Sequence, residues 1–196
     1  MKVLLYNNPE NVTEYELERD LKIIPTWRRG KALKYRFLMD RVLCTKAYLL
    51  LKEGLEEEYG IKDNPEFIYL EHGKPVLKNR ENIHFNLSHC NKAVLCVLDG
   101  KPVGCDIEEI PNEISMPLCR KCFNEDEINN IINSEKPCVE FAKYWTRKET
   151  IIKHGGMGIT VNLKNILNEE SEKNKNIQTV VCEEKGYVYS ILTYNK

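Results

Sequence analysis

Residues 83–108, IHFNLSHCNKAVLCVLDGKPVGCDIE, decide the fold. Apolar and polar residues alternate over Ile83–Ser88, as in a strand with one buried face, and Ala93–Leu98 is an unbroken apolar run of strand length. Asp99–Pro102 has the composition of a turn, and Val103–Ile107 reads as a further strand. The stretch therefore predicts three strands, grouped around a turn near the middle of the chain.

The residues before this stretch predict a mixture of strands and helices. A strand over Lys2–Tyr6 precedes a helix over Glu14–Ile24, and apolar residues at helical spacing then predict a long helix from Gly30 to about Leu55. Phe67–Leu70 reads as a short strand, and Gly73-Lys74-Pro75 reads as a turn.

The residues after it repeat this mixture. Asn124–Ile132 is predicted as a helix that opens with a capping box, because Glu127 follows Asn124 at the required spacing. Val139–His154 is the clearest helix, and the polar segment Asn168–Asn176 is predicted as a loop or hairpin tip. Thr179–Cys182 and Tyr187–Tyr194 are predicted to close the chain as an antiparallel pair. The fold class is α+β, and the turn at 99–102 divides the chain into halves 1–101 and 102–196.

Composition excludes several classes of protein. The chain has 196 residues, 42% of them hydrophobic and 30% charged, with a net charge of -1, which gives no broad bias toward nucleic acid or anionic membrane. No apolar run approaches the ~20 residues that span a bilayer, and Met1–Tyr6 is too short for a signal peptide. We therefore expect a cytoplasmic protein with reduced cysteines. Cys119 and Cys122 have no second ligand pair, so zinc and redox chemistry are not favoured there.

Asp106 and Glu108 are the first candidates for chemistry. On a strand they point to the same side, while Cys105 and Ile107 point to the other. Neighbouring carboxylates repel one another, and a hard divalent ion such as Mg²⁺ relieves that repulsion. The alternative is a strand end with a solvated acidic face, which these two residues alone would favour.

A second candidate group lies on the predicted helix over residues 139–154. Trp145, Glu149 and Lys153 follow one another at intervals of four and share one stripe of that helix. Glu149 has the chemistry of a metal ligand or a general base, and Lys153 that of a phosphate contact. An ordinary Glu–Lys surface pair is the alternative.

Two further groups could bind phosphate. Ser88 and His89 end a predicted strand, although a single histidine is more often a structural residue. Six basic residues lie within fourteen positions and form either a solvated helix face or a phosphate-binding patch: Arg28, Arg29, Lys31, Lys34, Arg36 and Arg41. The chain has no G-x-S-x-G elbow and no P-loop, so neither a serine hydrolase of that type nor a P-loop nucleotidase is supported.

These motifs occur in a specific order. The chain carries in succession Gly73-Lys74-Pro75, Phe85-Asn86-Leu87-Ser88-His89, Gly104-Cys105-Asp106-Ile107-Glu108, Trp145-Thr146-Arg147-Lys148-Glu149 and Lys153. Together they resemble the phosphopantetheinyl transferases of the Sfp type, which activate peptide and polyketide synthetases of secondary metabolism. The resemblance covers roughly Arg28 to Ile159; each motif is short, and their joint order and spacing make the match specific.

The resemblance implies a fold, a reaction and partners. The fold would be two similar α+β halves related by a pseudo-twofold axis, with the active site in the cleft between them. The enzyme would move the 4'-phosphopantetheine arm of coenzyme A onto a serine of an apo acyl or peptidyl carrier protein and release 3',5'-ADP. Because this chain contains both halves, we expect a monomer.

The resemblance also implies the site residues. Asp106, Glu108 and Glu149 would hold Mg²⁺, with Mn²⁺ as a further candidate. Glu149 would also act as, or position, the base for the incoming serine, and Lys153 would neutralise charge on the departing 3',5'-ADP. The remaining contacts with coenzyme A would come from Arg36, Ser88, His89 and Lys148 at its phosphates and from Lys74 and Pro75 beside its adenine.

One departure and three alternatives accompany this interpretation. The chain has Gly156-Met157-Gly158 where the family often has Gly-Lys-Gly, which could weaken a contact with coenzyme A or the carrier. Another Mg²⁺-dependent phosphotransferase or nuclease could use the same carboxylates, and a non-catalytic module could bind the carrier protein or coenzyme A. The third alternative is the shorter holo-acyl-carrier-protein synthase type, which builds its site between subunits.

Overall fold

The computed structural model describes residues 1–156, 162–171 and 175–194 and confirms the α+β class. Its helices are α1 (Glu14–Ile23), α2 (Thr26–Leu33), α3 (Leu38–Tyr59), α4 (Met116–Cys122), α5 (Glu125–Ile132), α6 (Pro137–Gly155) and α7 (Ile166–Ser171). Its strands are β1 (Lys2–Asn7), β2 (Phe67–Tyr69), β3 (Pro75–Leu77), β4 (His84–Cys90), β5 (Ala93–Asp99), β6 (Gly104–Glu109), β7 (Lys175–Cys182) and β8 (Tyr187–Tyr194).

The central hairpin forms as the sequence predicts. Strands β4 and β5 pair antiparallel, with Phe85 opposite Leu98 and Cys90 opposite Ala93, and β1 pairs with the other edge of β5. The apolar run of β5 is explained by this central position, because helix α3 covers one face of the sheet and residues of β6 pack on the other. Burial on both faces favours an unbroken apolar strand.

The predicted long helix from Gly30 to Leu55 is wrong, because two helices occupy this region. The chain leaves the helical conformation at Phe37 (φ −90°, ψ 144°), and Arg41 donates a hydrogen bond of 2.8 Å to the carbonyl oxygen of Tyr35 at the break. Tyr35, Arg36 and Phe37 are exposed, so an unbroken helix would gain no apolar burial there. The break instead lets α2 pack against α3 with Arg28 buried.

The second half contains another antiparallel sheet, in the order β6-β8-β7, and α6 packs against β6 and β8. The predicted capping box of α5 is confirmed: Glu127 N–H donates to Asn124 Oδ1 at 2.8 Å, and Asn124 N–H donates to Glu127 Oε2 at 2.9 Å. Helix α4 was not predicted. It carries the buried Cys119 and Cys122 into an aromatic cluster with Phe123.

The two halves have similar elements. Each has a three-stranded antiparallel sheet and a long helix, while the pseudo-twofold axis and the boundary between residues 101 and 102 stay predictions. The predicted polar loop is α7 up to residue 171 and β7 from residue 175; residues 172–174, like Met157 and Gly158, lie outside the described residues. All eight cysteines carry free thiols. Within residues 1–156, 162–171 and 175–194, no helix combines the length and the apolar content that a bilayer crossing requires.

Candidate active site

The candidate site lies where β4 of the first half meets β6 of the second. Side chains of β4 supply the hydrogen bonds between the two strands: Asn86 Oδ1 accepts from the N–H of Cys105 at 2.9 Å, and Ser88 Oγ accepts from the N–H of Ile107 at 3.3 Å. Asn86 and Ser88 are both buried. These bonds fix Asp106, which lies between the two bonded residues, relative to β4.

Asp106, Ser88 and Lys153 form one hydrogen-bonded cluster. Ser88 Oγ donates to Asp106 Oδ1 at 2.9 Å, while Lys153 Nζ lies 2.5 Å from the same carboxylate oxygen and 2.8 Å from Ser88 Oγ. Asp106 is only 1% exposed. Burial alone would lower the pKa of Lys153, but the charge and hydrogen bond of Asp106 raise it above its usual value. The lysine is therefore charged at neutral pH and can neutralise an anion.

Gly104 allows α6 to approach β6 closely enough to form this cluster. A Cβ atom at position 104 would collide with the backbone carbonyl oxygen of Thr150 and would lie 2.7 Å from the Cβ of His154. Because α6 carries Lys153 and β6 carries Asp106, this close contact between helix and strand sets their separation.

Glu108 and Glu149 both lie near the negative charge of Asp106. Burial, followed by the charge of Asp106, raises the pKa of Glu108 to about 7. Lys153 and the Trp145 side chain lower this pKa, but by less. Burial and then Asp106 also raise the pKa of Glu149, and Lys153 opposes this. The carboxyl groups therefore resist simultaneous ionisation unless additional positive charge is present.

The donor set fits a hard divalent cation. Among the described residues, Asp106 Oδ2 is a buried carboxylate oxygen without a hydrogen-bond partner, which is an expensive state that a cation would relieve. Along β6, Asp106 and Glu108 alternate with Cys105 and Ile107, which pack in the apolar core, as the strand prediction required. Within the described part of the chain, no three acidic, histidine or cysteine side chains already form a cluster of metal-binding geometry.

The predicted stripe on α6 exists. Trp145, Glu149 and Lys153 all belong to this one continuous helix, and both Glu149 and Lys153 interact with the charge of Asp106. Phe141, one turn before Trp145, stacks on its ring at 6.2 Å between centroids with an interplanar angle of 9°. The helix thereby presents a carboxylate and an amine to β6 and anchors its preceding turns in an aromatic cluster.

His89 lies beside this cluster at the end of β4. Loss of hydration next to the protein surface, followed by the charge of Lys153, lowers the pKa of the His89 imidazole. The charges of Asp40 and Asp106 raise it. His89 is exposed, so its ring can contact a ligand directly. The structure therefore places Ser88 in direct contact with Asp106, and His89 within range of the charges of Lys153 and Asp106.

A cavity of about 260 Å³ is lined by Lys153 and by the Gly73-Lys74-Pro75 turn. Asn86, Leu87 and Ile152 form much of its remaining wall. Lys74 Nζ donates to the carbonyl oxygen of His154 at 2.8 Å, at the end of α6, and burial lowers the pKa of this lysine. Lys74 thus joins the two halves at the edge of the cavity.

Two predicted contacts have other surroundings. Arg36 is exposed with its guanidinium 5.5 Å from the ring centroid of Phe37. Lys148 is buried, and its Nζ lies 2.8 Å from Glu127 Oε2 on α5. Neither residue lines the cavity beside Lys153, and their predicted phosphate contacts stay predictions.

Sequence reasoning gave no role to Asn86 and no individual role to Arg28. Asn86 lies inside the Phe-Asn-Leu-Ser-His motif, and alternation along β4 could have placed its side chain with that of Ser88. Arg28 is buried, donates to the carbonyl oxygen of Cys44 at 2.7 Å and lines a second cavity of about 120 Å³ that shares Gly73 and Pro75 with the first. Nothing in a row of six basic residues distinguishes it from its exposed neighbours.

Comparison with known proteins gives a consistent set of relatives. The sequence profile of the 4'-phosphopantetheinyl transferase superfamily matches residues 102–193. The chain is 32% identical to 4'-phosphopantetheinyl transferase psf-1 of Bacillus pumilus over 148 residues, which are 74% of this chain and 63% of that protein. It is 27% identical to 4'-phosphopantetheinyl transferase Sfp of Bacillus subtilis (strain 168) over 78% of this chain and 69% of the relative.

A third relative extends the comparison beyond Bacillus. The chain is 32% identical to 4'-phosphopantetheinyl transferase gsp of Aneurinibacillus migulanus over 75% of this chain and 57% of that protein. The chain thus spans less than two thirds of the length of psf-1 and gsp. The matched share of this chain includes residues on both sides of the central turn, since three quarters of 196 residues exceeds either half.

Proposed function

The chain belongs to the 4'-phosphopantetheinyl transferase superfamily, and we propose that it transfers the 4'-phosphopantetheine group of coenzyme A to a serine of an apo carrier protein. The observation that carries this proposal is the hydrogen-bonded cluster of Ser88, Asp106 and Lys153 between the two halves, with Glu108 and Glu149 beside it. A cation-binding acidic group next to an ammonium is the arrangement that a pyrophosphate substrate requires.

The proposed reaction is a displacement at phosphorus. The hydroxyl oxygen of the carrier serine forms a bond with the phosphorus atom nearer the pantetheine, and the bond from that phosphorus to the bridging oxygen of the pyrophosphate breaks. The bridging oxygen leaves with 3',5'-ADP and keeps the electron pair. Glu149 accepts the serine proton as the general base.

Lys153 stabilises the leaving group in this proposal. Its ammonium is held at the junction by Asp106 and Ser88 and borders the cavity that contains Lys74 and Pro75. A fixed positive charge at the position where negative charge develops lowers the barrier because no reorganisation is needed during the reaction. His89, exposed beside it, would contact a phosphate of coenzyme A.

We propose Mg²⁺ as the metal, held by Asp106, Glu108 and Glu149. The oxygen donors and the unpartnered Oδ2 of Asp106 support this choice. When bound, the ion would neutralise the diphosphate and polarise its phosphorus–oxygen bonds.

We also propose that a single chain is the active unit and that it works in the cytoplasm. Ser88 precedes the central turn, whereas Asp106 and Lys153 follow it, so one chain supplies both sides of the cluster. A second subunit is therefore not needed to complete these contacts.

Intact-protein mass spectrometry tests the proposal. A purified apo carrier protein is incubated with the chain, coenzyme A and Mg²⁺, and we expect the carrier to gain one phosphopantetheine. The gain should disappear with EDTA and return with excess Mg²⁺. Several apo acyl and peptidyl carriers remaining unmodified by the folded chain would refute the proposed transfer.

A further inference from the structure

Lys148 is a fully buried lysine next to the proposed base Glu149. The residue is 1% exposed, and its Nζ lies 2.8 Å from Oε2 of Glu127, whose side chain is only 7% exposed. An ion pair buried to this degree is uncommon and loses much of its hydration, so it persists only when its geometry is well satisfied.

The partner of Lys148 is itself held in place. The same oxygen of Glu127 accepts the N–H of Asn124 at 2.9 Å, in the capping box that begins α5. Asn124 Nδ2 donates to the carbonyl oxygen of Lys164 at 3.1 Å, and Lys148 Nζ donates to that of Leu163 at 2.6 Å. One ammonium therefore joins α6, α5 and the chain that follows α6.

The same ammonium contacts the aromatic cluster that holds Trp145. Lys148 Nζ lies 5.3 Å from the ring centroid of Phe123, and the rings of Phe123 and Trp145 meet edge to face at 6.4 Å and 78°. Trp145 lies one turn before Glu149 on α6. The contacts of Lys148 thus support the turn of α6 that carries both Trp145 and Glu149.

Contact between Lys148 and a bound phosphate is incompatible with this arrangement. The ammonium has a carboxylate, a carbonyl oxygen and an aromatic face as partners, and it does not line the cavity next to Lys153. Moving it to a phosphate would leave the Glu127 carboxylate buried and unpaired, which is strongly unfavourable.

We infer that Lys148 is a positioning residue that fixes α6 against α5 so that Glu149 faces Asp106. This inference rests on the proposed function and replaces the phosphate contact that the sequence motif suggested. A positioning role changes the rate of the chemical step, whereas a phosphate contact changes the affinity for coenzyme A.

The experiment compares Lys148→Met with the double variant Lys148→Met/Glu127→Gln. The single variant leaves a buried carboxylate unpaired and risks unfolding, whereas the double variant removes both charges and retains an acceptor for the Asn124 N–H. Lys46→Met/Asp20→Asn is the matched control, because it also removes both charges of a buried pair: Lys46 Nζ lies 2.6 Å from Asp20 between α3 and α1, away from the site. Transfer kinetics and calorimetric coenzyme A binding are measured for each.

We expect the double variant to lower kcat about tenfold to a hundredfold. The KM and Kd for coenzyme A should change by less than about twofold, because Lys148 does not contact the substrate. Lys46→Met/Asp20→Asn should change the melting temperature without changing kcat. An unchanged kcat in the folded double variant would show that the pair only stabilises the fold. Coenzyme A affinity weakened about tenfold would instead support the phosphate contact, and either result overturns the inference.

A spectroscopic arm separates this inference from the proposed function. In a Trp27→Phe background Trp145 is the sole tryptophan, because the chain has two. We expect the Trp145 emission to shift in Lys148→Met/Glu127→Gln and to remain unchanged in Lys46→Met/Asp20→Asn. If the unmodified chain transfers nothing, the proposed function fails, and an unshifted emission then overturns the positioning role as well.

Discussion

The ammonium of Lys153 lies 2.5 Å from Oδ1 of Asp106, an ion pair that joins α6 to β6 across the candidate site. The Asp106 side chain is 1% exposed, whereas that of Lys153 is 31% exposed. The lysine can therefore meet a ligand from its open side while its inner side stays paired. Ser88 Oγ on β4 donates a hydrogen bond to Asp106 and accepts one from Lys153, which links the ion pair to β4.

Replacing Lys153 with alanine should slow transfer more than it weakens coenzyme A binding. Removal of one fixed donor that stabilises developing charge lowers kcat by about a hundredfold to a thousandfold. Single-turnover kinetics and calorimetric coenzyme A binding measure the two effects separately. The reverse pattern, a large loss of affinity with a normal rate in the bound complex, would make Lys153 a binding residue.

Glu149→Gln should abolish transfer while preserving the fold. The amide retains the size of the carboxyl group but cannot accept the serine proton, and general-base catalysis contributes about a hundredfold to ten-thousandfold. Carrier modification by mass spectrometry measures the activity, and thermal unfolding serves as the control. A Glu149→Gln protein with full activity would remove this residue from the mechanism.

Gly104→Ala should destabilise the protein by about 1–3 kcal/mol, because the added methyl group meets the backbone of α6 rather than a movable side chain. Urea denaturation measures the loss. Gly30→Ala is the matched control: a Cβ there has no atom within 4 Å, and Gly30 lies in α2, so we expect a gain of up to about 1 kcal/mol. Equal effects of the two substitutions would contradict the close contact between α6 and β6.

The buried Tyr48 should make the protein sensitive to base. Burial raises its pKa to about 12, with Arg28 opposing, so the folded state disfavours the phenolate. A folded pKa above the unfolded value gives stability that is complete below about pH 10 and is lost as the pH rises toward 12. Between these two pKa values the free energy of unfolding should fall by about 1.4 kcal/mol for each increase of one in pH.

Tyr48→Phe removes that dependence and provides the comparison. The variant loses only one long hydrogen bond, 3.4 Å from the Tyr48 hydroxyl to the carbonyl oxygen of Pro65. We expect the free energy of unfolding, measured by urea denaturation between pH 9 and 12, to fall less steeply in the variant. Parallel curves for the two proteins would exclude a contribution from Tyr48.

The sequence predicted those parts of the site that depend on local periodicity. Alternation along β6 put Asp106 and Glu108 on one side, and helical spacing put Glu149 and Lys153 on one stripe of α6. The predicted capping box of α5 also formed, because its two residues lie three positions apart and require no distant partner. The order of the short motifs then indicated the superfamily that the comparisons support.

The two lysines of α6 show what local periodicity does not contain. Lys148 and Lys153 belong to the same motif region, yet one pairs with Glu127 and the other with Asp106. The sequence suggested phosphate contacts for both. Which carboxylate lies near each ammonium depends on how α5 and β6 pack against α6, and residue spacing within α6 does not determine that packing.

By itself, the sequence determined the α+β class, most of the elements, and which residues share a face, because a strand or helix repeats its geometry over a few residues. Tertiary structure alone decided the break between α2 and α3, the bridging of β4 and β6 by Asn86 and Ser88, and the burial of Lys148. Burial and ion pairing depend on distances between segments that only packing brings together, and their free energies change steeply with those distances.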